Sequence, residues 1–126
     1  MVAGPAGPAA PIRLLIVDDE PSLLGLLRRY LERLGYAVDV APTSEAALEK
    51  FEADSAKYDC VLADLKLPGM NGEDMLERMR SRRPGLRALI SSGSPYQPRS
   101  PRTGFLQKPY TISQLSERVR SVLALK

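Results

Sequence analysis

The chain has no histidine among its 126 residues. That removes histidine-based catalytic triads, histidine metal sites and any role as a histidine phosphocarrier. It has one cysteine, Cys60, so a disulfide framework is excluded and a reducing compartment such as the cytoplasm is permitted. Cys60 stands in the apolar run Cys60-Val61-Leu62-Ala63 and reads as a buried packing residue, not a reactive thiol. No apolar run is longer than Leu14-Leu15-Ile16-Val17. A membrane span needs about 20 apolar residues, so no membrane insertion is expected. No charged segment precedes an apolar stretch at the N-terminus, which therefore does not read as a signal peptide. Excess charge is also small, +3 at neutral pH. The densest basic cluster is Arg78, Arg80, Arg82, Arg83 and Arg87. No nucleic-acid reading motif accompanies it, so it reads as a solvated helix end and loop, and no direct nucleic-acid binding is expected.

What remains is one domain's worth of chain with an apolar fraction of 44%, enough for one core. Residues 1–11 are rich in Ala, Gly and Pro and read as a flexible leader; the folded domain is expected over 12–126. Short apolar runs predict strands over 12–17, 36–41, 58–63, 87–91 and 105–107. Between them the apolar residues recur at helical spacing. Leu23, Leu27, Tyr30 and Leu34 follow Pro21, a natural first-turn residue, and Gly35 is a stop signal. Thr43 or Ser44 would cap a helix carrying Ala46, Ala47, Leu48 and Phe51, and Asn71 would cap one carrying Met75, Leu76 and Met79. A final helix is expected over 111–125. Strands that are apolar throughout and alternate with helices imply a parallel sheet covered on both faces.

In such sheets, ligands bind beyond the carboxyl ends of the strands. Here the first strand ends in Asp18-Asp19-Glu20 and the third in Asp64. If those strands are neighbours, three aspartates converge, and their repulsion needs compensation. A hard divalent cation, Mg²⁺ or Mn²⁺, provides it, since it takes carboxylate and carbonyl oxygens and keeps positions for water or phosphate. Glu20 reads more simply as a helix-start acid. Lys108 follows the fifth strand and adds an ammonium at the same edge; Ser91-Ser92-Gly93 follows the fourth and adds a hydroxyl. A carboxylate nucleophile, a cation site, a hydroxyl and an ammonium are the parts that a covalent aspartyl phosphate requires.

With these residues in place, the chain resembles the receiver domain of two-component response regulators over about residues 12–125. Asp18-Asp19 resembles the family's acidic pair, and Pro68-Gly69-Met70-Asn71-Gly72 its Pro-Gly-Met-Asp-Gly turn. Asp64 stands at the phospho-acceptor position, and Lys108-Pro109-Tyr110 matches Lys-Pro-aromatic. Ser92, followed by Gly93, fits the switch hydroxyl better than Ser91 does, and Phe105 matches the switch aromatic. The resemblance implies a flavodoxin-like, doubly wound, five-stranded parallel sheet in the order 2-1-3-4-5. It implies phosphoryl transfer from a sensor histidine kinase or a histidine phosphotransfer protein onto Asp64, in a domain that is not otherwise an enzyme. It further implies metal ligation by Asp19 and Asp64 directly, Asp18 mainly through water, and the Lys66 backbone carbonyl. Ser92 and Lys108 would hold phosphoryl oxygens, and Phe105 would turn inward in response.

One departure is plain. Between Ser92 and Lys108 the family fits a full helix, but here Pro95, Pro98 and Pro101 intervene. Each removes a helical hydrogen bond and biases its neighbour to extended backbone, so the fourth helix is expected to be missing or very short. The spacing also suits polyproline II, and residues 95–101 are expected to be mobile. Together with the Lys-Pro-Tyr junction, this is reminiscent of receivers attached to hybrid sensor kinases. The chain is either a stand-alone receiver or one cut from a larger protein, and its oligomeric state stays open. Three other functions compete. A flavin mononucleotide site conflicts with the acidic loop at 18–20, which would repel a phosphate. A haloacid-dehalogenase-type hydrolase needs an acid two residues after the nucleophile, where Lys66 stands. A receiver-like module that is never phosphorylated conflicts with the complete acid, hydroxyl and lysine set.

Overall fold

The computed structural model describes residues 10–125. Most of the expected leader at 1–11 lies outside that range. Nine elements follow in the order β1 (Arg13–Val17), α1 (Pro21–Arg33), β2 (Ala37–Ala41), α2 (Ser44–Ala53), β3 (Cys60–Asp64), α3 (Gly72–Arg82), β4 (Arg87–Ser92), β5 (Thr103–Gln107) and α4 (Ile112–Leu123). The strands form one parallel sheet in the order β2-β1-β3-β4-β5. This is the expected doubly wound arrangement.

Alternation along each strand divides the core in two. Leu15, Val17, Val61, Ala63, Ala88 and Ile90 point to one face, where Leu48 and Phe51 of α2 and Met75, Leu76 and Met79 of α3 cover them. Leu14, Ile16, Cys60, Leu62, Leu89 and Leu106 point to the other, beneath Leu24, Leu27 and Leu31 of α1 and Leu115, Val119 and Val122 of α4. Each fully buried Leu, Ile, Met or Phe side chain stabilises the fold by about 1.5–3 kcal/mol before entropy is counted. Cys60 is completely buried, and burial pushes its thiol up to about 12, so it is a packing residue.

Local chemistry sets the helix ends. Pro21 opens α1, and Gly35 follows it at φ +100°. Thr43 rather than Ser44 caps α2, accepting from the Ala46 N–H at 3.0 Å. Asn71 caps α3 by accepting from the Asp74 N–H at 2.8 Å. Thr111 and Gln114 form a reciprocal capping box on α4. Residues 93–102 contain neither helix nor strand, as the three prolines required.

Some boundaries shift for packing reasons. Tyr58 precedes β3 instead of opening it. Its ring stacks on Phe51, with centroids 6.4 Å apart, and its hydroxyl donates to Asp39 at 2.6 Å. β5 begins two residues earlier than its apolar run, at Thr103. Gly104 is the reason the run was cryptic: a Cβ there would lie 2.6 Å from Val122 Cγ2, so α4 packs against a bare backbone. The basic cluster is not merely solvated. Arg80 donates twice to the Leu86 carbonyl, Arg83 to the carbonyls of Ser55 and Tyr58, and Arg87 to that of Leu125. These guanidiniums satisfy loop carbonyls at the bottom of the sheet, opposite the carboxylates.

Asp39 supplies an acid-sensitive contact on β2. Burial disfavours its charge, but the Tyr58 hydroxyl and Lys57, at 3.2 Å, outweigh that and hold it below the usual 3.8. A depressed folded pKa stabilises the native state above 3.8 and loses that contribution as pH falls through the lower folded value. Denaturation measured between about pH 5 and 2 should therefore show a shallower acid limb in Asp39→Asn than in the wild type.

Candidate functional site

Sheet register aligns the chemistry. Val17 pairs with Ala63, so Asp18 and Asp64 emerge side by side from β1 and β3. Asp64 pairs with Ser91, and Ser92 with Gln107, so Lys108 emerges next in the row. Backbone bonds fasten the edge: the Leu65 N–H donates to the Ser91 carbonyl at 2.8 Å, and the Lys108 N–H to the Ser92 carbonyl at 2.8 Å.

Carboxylate oxygens of Asp18, Asp19 and Asp64 lie within 4.8 Å of one another. Asp18 is 5% exposed, Asp64 is half-buried and Asp19 faces solvent. Lys108 Nζ donates to Asp64 Oδ2 at 3.0 Å and lies 3.9 Å from Asp18 Oδ2. The other oxygen of Asp18 accepts from the Glu20 N–H at 3.0 Å, which tightens the turn into α1. The Lys66 N–H reaches toward Asp64 Oδ1 at 3.4 Å, and the Lys66 side chain is exposed.

Electrostatics follow from this geometry. Burial raises the Asp18 pKa; the Glu20 N–H and Lys108 oppose that, and the charges of Asp64 and Asp19 add to it. Lys108 is also raised. Burial works against its charge, but the hydrogen bond and charge of Asp64, with Asp18 behind, prevail. Burial likewise raises the Tyr110 hydroxyl. Three carboxylates against one ammonium leave the site short of positive charge. A close set of oxygen donors with surplus negative charge suits a hard divalent cation, so the residues present fit Mg²⁺ or Mn²⁺.

Ser92 is 3% exposed, and its Oγ accepts from the Ser94 N–H at 3.2 Å. Ser91 lines a small cavity with Asp18 and Asp64, together with apolar residues such as Leu62, Leu89 and Leu106. Its volume of about 20 Å³ is room for one water-sized group. Phe105 on β5 is half-buried, its ring 6.3 Å from that of Tyr96 and inclined at 58°.

Two features escaped the sequence. Ser44 donates its hydroxyl to the Met70 carbonyl at 2.6 Å, tying α2 to the loop that follows Asp64. Glu73, only 1% exposed in the first turn of α3, accepts from the Tyr96 hydroxyl at 2.7 Å and the Arg99 N–H at 2.8 Å, both on Oε2. The Arg99 side chain pairs with Asp74 at 2.9 Å and with Glu77. The proline-rich loop thus has no ladder of its own but is tethered to α3. Helix-start acids are common enough that Glu73 carried no distinguishing signal.

Comparison with known proteins agrees with this arrangement. The family model described as "Response regulator receiver domain" matches residues 14–120. Sensor kinase CckA of Brucella abortus is 30% identical over 116 residues, 87% of this chain and 12% of that protein. Transcriptional regulatory protein TrcR of Mycobacterium tuberculosis is 31% identical over 120 residues, 90% of this chain and 46% of that protein. The chain therefore spans less than half the length of these relatives. Among solved structures, the receiver domain of the hybrid histidine kinase CckA has a TM-score of 0.79 and 31% identity, covering 88% of this chain and 98% of that one. The response regulator TrrA of Thermotoga maritima, in complex with Mg(2+)-BeF, has a TM-score of 0.76 and 27% identity, covering 88% and 98%. The family match, the sheet order and the row of Asp18, Asp64 and Lys108 agree: the chain belongs to the response regulator receiver domain family.

Proposed function

We propose that this domain accepts a phosphoryl group on Asp64 from a sensor histidine kinase or histidine phosphotransfer protein and switches conformation in response. The observation that carries this reading is the Asp64 carboxylate at the end of β3, hydrogen-bonded to Lys108 and grouped with Asp18 and Asp19. Asp18, Asp19 and Asp64, with the Lys66 carbonyl, would hold Mg²⁺ or Mn²⁺. When bound, that cation neutralises charge on the phosphoryl oxygens.

The chain's own residues do the rest. An Asp64 oxygen attacks phosphorus, the P–N bond to the donor imidazole breaks, and its electron pair stays on the imidazole nitrogen. Lys108 holds Asp64 in place beforehand and then pairs with a phosphoryl oxygen. Ser92 gives up its contact with the Ser94 N–H and donates its hydroxyl to a second phosphoryl oxygen. Phe105 turns inward as the Ser92 loop moves. These contacts exist only with the phosphoryl group present, so they shift an existing equilibrium. The domain's catalysis is confined to its own phosphorylation and to hydrolysis of the aspartyl phosphate, in the reducing cytoplasm. An apolar-sided depression of about 490 Å³, lined by Leu23, Pro109 and Tyr110 beside Lys108, leaves room for a donor side chain to approach. The resemblance to CckA supports a kinase-linked setting, and the TrrA complex supports a Mg²⁺-dependent phosphoryl site.

Incubation with acetyl phosphate and Mg²⁺ should add the mass of one phosphoryl group to the intact protein. Excess chelator should abolish the shift. Full modification in chelator would overturn the cation's part, and no modification by either acetyl phosphate or a phosphorylated kinase would overturn the acceptor reading.

A further inference from the structure

We propose that Glu73 is a positioning residue that latches the Ser92 loop in its resting arrangement, and that Tyr96 must leave Glu73 when the domain is activated. This rests on the reading of Asp64 as phospho-acceptor. The latch itself is visible without it. Glu73 is buried at the start of α3, the helix that follows the Asp64 loop, and one of its oxygens, Oε2, receives both the Tyr96 hydroxyl and the Arg99 N–H. The two donors come from the loop that begins just after Ser92, so a single side chain ties the acceptor's helix to the switch residue's loop.

The chain between Ser92 and Tyr96 is short. Tyr96 lies four residues after Ser92. Such a span reaches at most about 14 Å fully extended, and Pro95 stiffens it. Ser92 is held back at its own turn by the Ser94 N–H. A turn of Ser92 toward the phosphoryl group therefore pulls on Tyr96. On its other side, the Tyr96 ring meets Phe105, so an inward swing of Phe105 removes packing that holds Tyr96 in place. Phe105 has no hydroxyl and loses no hydrogen bond as it turns. The Tyr96 hydroxyl supplies the polar contact that is made or broken. Residues 93–102 contain no helix that could hold the loop instead. The exposed pairs of Arg99 with Asp74 and Glu77 are screened by salt, so the buried Glu73 contact dominates.

A contact present only in the resting state opposes the activating ligand, and its removal tightens that ligand by up to the same factor, reached when the resting state dominates. A hydrogen bond to a charged group corresponds to about a ten-fold change in an equilibrium constant or more. Two measurements test the idea on the full chain. Amide hydrogen exchange without ligand should show the Arg99 N–H protected in the wild type and faster in Glu73→Ala. Calorimetric titration with beryllofluoride and Mg²⁺ should show binding about ten-fold tighter in Tyr96→Phe, which keeps the ring and removes only the hydroxyl. Glu73→Gln retains an acceptor oxygen and should fall between wild type and Tyr96→Phe, a rescue that a purely structural role would not produce. An unprotected Arg99 amide in the wild type, or beryllofluoride affinity unchanged or weakened in Tyr96→Phe, overturns the latch. A wild type that binds no beryllofluoride while its Arg99 amide is protected overturns the acceptor reading, and the coupling with it.

Discussion

Asp64→Asn should show no mass increase with acetyl phosphate and Mg²⁺ under conditions that fully modify the wild type. The substitution is close to isosteric. Its carbonyl oxygen can still accept the hydrogen bond that Lys108 Nζ gives Asp64 Oδ2 at 3.0 Å, so the fold and the lysine should stay in place. What is lost is chemical. A neutral amide oxygen is a poor nucleophile toward phosphorus, and the amide nitrogen has no available lone pair. The charge balance also changes, because three carboxylates facing one ammonium become two. Mg²⁺ affinity should therefore fall in the same variant. Modification at the wild-type rate would place the acceptor on another residue, and a peptide map of the modified protein would locate it.

Gly72→Ala should have the largest effect on stability of any single added methyl at the site. A Cβ on Gly72 would lie 2.6 Å from the backbone carbonyl oxygen of Asp64 and 3.0 Å from Ile90 Cδ1. The first neighbour is backbone in the sheet, so it cannot yield as a flexible side chain would. Alanine normally gains up to about 1 kcal/mol over glycine in a helix. Overpacking against a fixed neighbour costs about 1–3 kcal/mol, and at the first position of α3 the clash should win. The expected net loss is about 1–2 kcal/mol, or roughly 3–10 °C in Tm. Because the displaced atom is the carbonyl of Asp64 itself, phosphorylation should slow as well. Gly25→Ala is the control. Gly25 lies within α1 with nothing near its would-be Cβ, and alanine there should stabilise the protein by about 0.5–1 kcal/mol. A Gly72→Ala protein as stable as the wild type would mean that α3 can slide away from β3 freely.

Sequence alone carried much of the candidate site because two separate strand ends supply the aspartates, which helix-start preference alone does not account for. The strand runs Leu14–Val17 and Cys60–Ala63 each stop at an acid, and the lysine after β5 completes the set. Register then needed only the sheet order, which periodicity does not contain. A parallel pairing of β1 with β3 rather than β2 with β3 came from resemblance to a family, and the structure bears it out. Proline chemistry made the missing fourth helix equally legible, since the lost N–H and restricted φ are properties of the residue itself.

By itself, then, the sequence determined the class of fold, the acids and the lysine that close the strand runs, a cap for α2 at Thr43 or Ser44 and one for α3 at Asn71, and the proline-interrupted stretch after β4, because each depends on near neighbours in the chain or on an intrinsic residue property. Only the tertiary structure decided that Glu73 is buried and receives Tyr96 and Arg99, that Asp39 holds the Tyr58 hydroxyl, that Arg80, Arg83 and Arg87 satisfy loop carbonyls, and that Gly72 and Gly104 must lack a Cβ. Those roles arise from contacts between different elements and loops, most of them far apart in the chain. Their distances are fixed by how the helices settle on the sheet, and a one-residue change in register would have given the same side chains different partners.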